Sequence, residues 1–156
     1  MGYETYGTDL SEKMIDYSKK NLDWLGFDDY ELETGDAASF KWRGSIDFIA
    51  SETYLGQPFS APPSDIKLKE VKFVTKNILL SFLKNIHPQL KPATPLALAI
   101  PAWLRPDHTF SYLNIVDEIE KLGYNVYQFK HATPTQLLYH RESQVVARQI
   151  IVLRKI

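Results

Sequence analysis

The chain has 156 residues, 44% hydrophobic and 24% charged, a mix that suits one ordinary globular domain and excludes a disordered, collagen-like or low-complexity segment. It has no cysteine, so a disulfide scaffold, a thiolate metal site and a cysteine nucleophile are excluded. Eighteen basic against nineteen acidic residues leave a net charge of -1, without the basic excess of a domain that holds nucleic acid by charge alone.

Taken in chain order, the predicted elements alternate. Tyr3 to Asp9 carries the β-favouring Tyr3, Thr5, Tyr6 and Thr8 and reads as a strand. Asp9 or Ser11 can cap a following helix, in which Met14, Ile15, Tyr17, Leu22 and Leu25 recur at roughly helical spacing until Gly26. Tyr30 to Thr34 is a short strand that ends at Gly35-Asp36, and Ser45 to Ser51 (SIDFIAS) reads as a buried strand. Pro58, Pro62 and Pro63, with Ser60 and Ser64, mark a loop. The clearest helix runs from Ile66 to His87, with Leu68, Val71, Val74, Ile78, Leu79, Phe82, Leu83 and Ile86 apolar; Pro88, Pro92 and Pro95 prevent its continuation. Leu96 to Ile100 suits a central parallel strand covered on both faces. Phe110 to Leu122 is expected to be helical, with Gly123 just past its end. Tyr124 to Phe129 and Val145 to Leu153 complete the strands. This alternation predicts βαβ units around a parallel sheet. No stretch approaches about 18 apolar residues, so no membrane span is expected. The polar start MGYETYGTDL is neither a signal nor a transit peptide, and the expectation is a single cytoplasmic domain over residues 1–156.

In open α/β sheets ligands bind beyond the carboxyl ends of the strands. Three such ends carry polar residues: Asp9; Gly35-Asp36-Ala37; and Ser51-Glu52-Thr53-Tyr54. An acid at a strand end can accept the two hydroxyls of a ribose, a carboxylate can accept the N–H bonds of a heteroaromatic amine, and a tyrosine can stack on its face. Each also has a plain structural role open to it. Asp9 suits a helix N-cap, Gly35-Asp36 a turn, Glu52 a solvated loop, and Tyr54 packing beneath that loop.

Read together, an acid after a strand, then Gly-Asp-Ala, then Ile46-Asp47-x-Ile49-x-Ser51-Glu52-Thr53-Tyr54-Leu55-Gly56 resembles the class I S-adenosylmethionine-dependent methyltransferases. More narrowly it is similar to the RNA methylases that include the tRNA guanine-N2 methyltransferases, whose motif is a polar or acidic residue followed by Pro-Pro-Tyr/Phe. The stretch YGTDLSEKMIDYSKKNL resembles that family's second strand and following helix, which ends near an Asn-Leu pair, here Asn21-Leu22. The resemblance implies a Rossmann-like α/β sheet with helices on both faces and S-adenosylmethionine as cofactor. It implies that Asp9, with Leu10 beside it, holds the ribose, and that Asp36 and Ala37 border the adenine. It implies that Glu52 or Ser51 accepts from the target amine, with Ser51 also near the cofactor and Tyr54 stacking on the base. Two registers are open. One puts Glu52 first, with Thr53 and Tyr54 at the proline positions; the other puts Ser51 first and Tyr54 in the aromatic place. The implied substrate is RNA, such as tRNA, captured through a separate domain because the charge here is near neutral.

The seven glycines never come closer than five residues apart, so the glycine-rich turn that opens such folds does not occur. Tyr3–Asp9 matches the family's second strand, which implies an N-terminally truncated domain whose sheet lies in two poorly joined halves. A partner chain or a dimer would then complete the sheet. The alternative is a non-catalytic or partial Rossmann-like module that serves as a binding partner or scaffold.

Other patterns carry less. His87, His108, His131 and His140 have no metal-site spacing, and none is expected to bind metal. The serines near position 60 do not form GxSxG. Trp103 to Pro106 reads as a packed loop or a pocket wall. Lys67, Lys69, Lys72 and Lys76 suit a solvated helix face better than a phosphate-binding one.

Overall fold

The computed structural model describes residues 3–133 and 135–156. The chain divides into two compact units, one ending at Gly44 and one running from Ser45 to Ile156. Among the described residues the strands fall into two sheets, one of two strands and one of six. Among the described residues no helix is long and apolar enough to cross a membrane.

The first unit is a strand–helix–strand turn: β1 (Thr5–Asp9), α1 (Glu12–Trp24) and β2 (Tyr30–Thr34). The strands are parallel, from Thr5 opposite Tyr30 to Asp9 opposite Thr34. Gly26 ends the helical segment with φ of +74°, a conformation that costs glycine least, and the Phe27 N–H closes back onto the Leu22 carbonyl. Of α1 only Ile15 is buried; Met14, Tyr17 and Trp24 on the helix and Leu10 just before it are exposed. Arg43 pairs with Glu31 and Glu33 and lies over the Tyr6 ring, while the Tyr6 hydroxyl donates to Glu33.

The second unit holds most of the core. Its elements are β3 (Ile49–Glu52), α2 (Asp65–Ile86), a 3-10 turn at His87–Gln89, β4 (Pro95–Leu104) and β5 (Phe110–Tyr112). They are followed by α3 (Val116–Lys121), β6 (Tyr124–Val126), β7 (Leu138–Tyr139) and β8 (Val146–Lys155). The strand order is β3-β4-β8-β6, with β5 on β4 and β7 on β8. Ser64 caps α2 by accepting from the Lys67 N–H, and Pro88 falls in the 3-10 turn, as its missing N–H allows. One face of the sheet is buried through Leu96, Leu98, Ile100 and Ala102 on β4 and Ala147 and Leu153 on β8. On the alternate face Pro95, Ala97 and Ile150 are exposed, while Pro101 and Trp103 are buried. Tyr124, fully buried, donates its hydroxyl to the Leu83 carbonyl and so fixes β6 against α2; burial pushes its pKa far up.

Ser45–Ser51, expected as a buried strand, forms a strand only over Ile49–Glu52, and that strand is mostly exposed. Four further sequence expectations are corrected. The sheet is not wholly parallel: β3 runs parallel to β4, but β8 lies beside β4 in the antiparallel sense and so do β5, β6 and β7 to their partners. Phe110–Leu122 is not one helix. Phe110–Tyr112 folds back on β4 through a turn in which Asp107 accepts from the backbone and hydroxyl of Thr109 and His108 takes φ of +61°. The lysines of α2 are not a plain solvated face. Lys72 donates to the Tyr112 carbonyl and Lys76 pairs with Glu118, tying α2 to β5 and α3, and burial lowers the pKa of Lys72. Trp103 is part of β4 and fully buried, which makes it packing and not a pocket wall.

Candidate active site

In the first unit the parallel pairing continues one residue past the strands. The Gly35 N–H donates to the Asp9 carbonyl at 2.9 Å, so Asp9 and Gly35-Asp36 stand side by side at two carboxyl ends. One carboxylate oxygen of Asp9 accepts the Ser11 N–H at 2.7 Å, which satisfies a donor at the start of α1. The other oxygen has no hydrogen-bond partner among the described residues and is left as an acceptor. Ser11 is the N-cap residue of α1; Asp9 fixes its backbone in a local turn and keeps the capacity to accept a further donor. Leu10, 74% exposed, sets an apolar side chain directly beyond it.

The Asp36 carboxylate accepts the Ala38 N–H, and its carbonyl accepts from Ser39 and Phe40, which closes a tight turn. A Cβ on Gly35 would lie 2.2 Å from the Phe40 ring, so only glycine lets Phe40 cover the turn. Asp36 is exposed and Ala37 half-buried. The two strand ends thus set carboxylate acceptor oxygens beside exposed apolar surface.

In the second unit Ser51 and Glu52 end β3. Their register partners on β4 are Leu98 and Ala99, so their side chains leave opposite faces of the sheet. Ser51 donates locally to the Glu52 carbonyl at 3.2 Å. Thr53 donates both its N–H, at 3.0 Å, and its hydroxyl, at 3.1 Å, to the Ala99 carbonyl. Thr53 occupies a proline position of the family motif in either register. The structure uses its N–H to extend the strand pairing, which proline cannot do. Tyr54, 47% exposed, follows on the loop. Gly56 then turns with φ of +88°, and a Cβ there would lie 2.6 Å from Val71, so the loop passes close over α2.

The Glu52 carboxylate is bound by Arg148, whose Nε donates to it at 2.5 Å; Arg148 Nη1 also donates to the Gln144 side chain at 3.1 Å. Arg141 donates to the Tyr139 hydroxyl at 2.9 Å. Its guanidinium is held more firmly protonated by that bond first, then by the charges of Tyr139 and Glu52. The sequence reading missed Arg148. Its only signal is a single arginine inside the apolar run VVARQIIVL, and its partner lies 96 residues away. An apolar cleft of about 240 Å³ lined by Ile100, Tyr112, Ile115, Val126, Gln149 and Ile151 opens on the other face of the sheet from Glu52. Among the described residues no group of three or more histidines and acids could hold a metal ion.

The chain is 34% identical over 151 residues to a tRNA (guanine(10)-N2)-dimethyltransferase of Pyrococcus abyssi, an alignment covering 92% of this chain and 40% of that protein. Among solved structures, TrmN from Thermus thermophilus matches 97% of this chain and 36% of its own, at 17% identity with a TM-score of 0.57. A SAM-dependent methyltransferase from Aquifex aeolicus matches 94% of this chain and 67% of its own, at 17% identity with a TM-score of 0.53. No protein-family model matches.

Proposed function

We infer, from a chain that carries the class I methyltransferase fold and resembles the tRNA guanine-N2 dimethyltransferases in sequence, that these residues serve an S-adenosylmethionine-dependent N-methyltransferase acting on a nucleobase in RNA. The observation that carries it is the pairing of Asp9 with Gly35-Asp36 at adjacent carboxyl ends, with an acceptor oxygen left on Asp9. Asp9, with Leu10 beside it, would hold the ribose hydroxyls, and Asp36 and Ala37 would border the adenine. Glu52 would accept from the target amine and Tyr54 would stack on the base, with Ser51 the neighbouring polar group on the opposite face.

The cofactor supplies a methyl group on a sulfonium; transfer to an amine nitrogen forms an N–C bond as the C–S bond breaks with its electron pair going to sulfur. Such a displacement asks mainly for alignment. Glu52 would supply it by accepting an N–H bond from the amine and would take up the proton that the methylated nitrogen releases.

Among the described residues β1 pairs only with β2, and β3 only with β4, so each has an open edge. A strand from another part of the protein, or from a partner chain, would close those edges, and RNA capture would rest on a separate domain. The chain spans 40% of its curated relative's length, so activity is tested on the complete protein. Transfer of labelled methyl from S-adenosylmethionine to guanine-containing tRNA should fall on the order of 100-fold in Glu52→Ala. Unchanged turnover in a folded Glu52→Ala protein would rule out the role given to Glu52.

A further inference from the structure

We propose that Arg148 is the positioning residue for Glu52, and this rests on Glu52 being the acceptor for the target amine. Glu52 is the last residue of a four-residue strand, its side chain is 51% exposed, and it has three rotatable bonds with which to wander. A side chain in that state does not hold a reacting amine in line without support.

The support comes across the sheet. Arg148 stands on β8, which is locked to β4 along a ladder from Pro95 opposite Arg154 to Trp103 opposite Val146. Glu52 is the register partner of Ala99, and Arg148 is the register partner of Pro101, so both side chains leave the same face with β4 between them. The β4 residues on that face at the crossing are Ala99 and Pro101, small enough for the arginine to reach over the strand. Its Nε donates to Glu52 Oε2 at 2.5 Å, and its Nη1 is held by Gln144 at 3.1 Å. The arginine is the better buried partner, 24% exposed.

The consequence is directional. One Glu52 oxygen is taken by a guanidinium that the sheet holds in place, and the other has no partner among the described residues, which leaves it as the acceptor. Arg148 is not required to touch the base. Lysine at this position would keep the charge and lose the planar fork that bonds Glu52 and Gln144 together.

The test is a mutant cycle in the complete protein, read as kcat and KM for methyl transfer to tRNA. Arg148→Gln should lower kcat about tenfold, with the KM for S-adenosylmethionine and the melting temperature unchanged. Arg148→Lys should recover part of the loss. In a Glu52→Gln background, Arg148→Gln should change kcat less than about twofold, since the interaction is already gone. An unchanged kcat in Arg148→Gln overturns the proposal, and so does a full tenfold loss that persists in the Glu52→Gln background. A Glu52→Gln protein with normal kcat overturns instead the role of Glu52 itself, a separate and recognisable outcome.

Discussion

The two units support functional residues in opposite ways. In the first, a strand–helix–strand turn buries one apolar side chain of its helix, Ile15, and leaves Leu10, Met14, Tyr17 and Trp24 in contact with solvent. Asp9 and Asp36 are there positioned almost entirely by backbone hydrogen bonds at strand ends. In the second, Leu79, Leu83, Leu96, Leu98, Trp103, Ile119, Tyr124 and Leu153 are at most 2% exposed, and Glu52 is fixed by an arginine on a ten-residue strand. The difference teaches where the molecule can yield. Few buried contacts mean local opening well below the global unfolding energy, so Asp9 and Asp36 sit on the softer support.

The largest effect belongs to the second unit's core. Trp103→Ala should cost about 3–5 kcal/mol in urea unfolding of the second unit, as for other large-to-small changes in a packed core. Trp103→Phe should cost far less, because the buried indole N–H has no partner among the described residues. Equal losses in the two variants would reveal a partner for that N–H. Next, Ile15→Ala should cost about 2 kcal/mol and act only locally. Hydrogen exchange should show β1 and β2 amides losing protection while β4 and β8 keep theirs; uniform loss would erase the contrast between the units.

Gly56→Ala should cost about 1–3 kcal/mol, because φ of +88° and the approach to Val71 both oppose a side chain. A neutral result in thermal melting would mean that the loop re-routes. The smallest effect is acid sensitivity. The hydrogen bond from Lys76 holds the Glu118 carboxyl below its ordinary pKa, and bonds from Thr109 do the same for Asp107. With folded values below unfolded ones, the unfolded chain takes up protons first as pH falls. The contribution is whole at neutral pH and fades below about pH 4. Lys76→Met should flatten that part of the stability profile, and an unchanged profile would remove Glu118 from the account.

Much of this was legible in the sequence. The apolar spacing of Leu68 to Ile86 gave α2 within a residue at each end, and β1 and β2 end at Asp9 and just before Gly35-Asp36 as the residue types pointed, whereas the strand read over Ser45–Ser51 forms only over Ile49–Glu52 and is mostly exposed. Phe110 to Leu122 misled because Phe110, Leu113 and Val116 mimic helical spacing. The deciding signal was the Asp107-His108 turn, whose left-handed residue is not a glycine. The place of β8 beside β4 could not be read, since local pattern marks a strand and not its neighbour. The same limit hid Arg148, because an ion pair across a third strand leaves no mark in spacing.

The central claim is that Asp9 and the Gly35-Asp36 turn hold the nucleoside part of S-adenosylmethionine. Calorimetric titration of the complete protein with S-adenosylhomocysteine tests it most directly. The account predicts binding that weakens about tenfold or more in Asp9→Ala, with the fold retained and Glu52→Ala binding as tightly as the parent protein. A folded protein that does not bind, or one whose affinity is unchanged by Asp9→Ala, would contradict it.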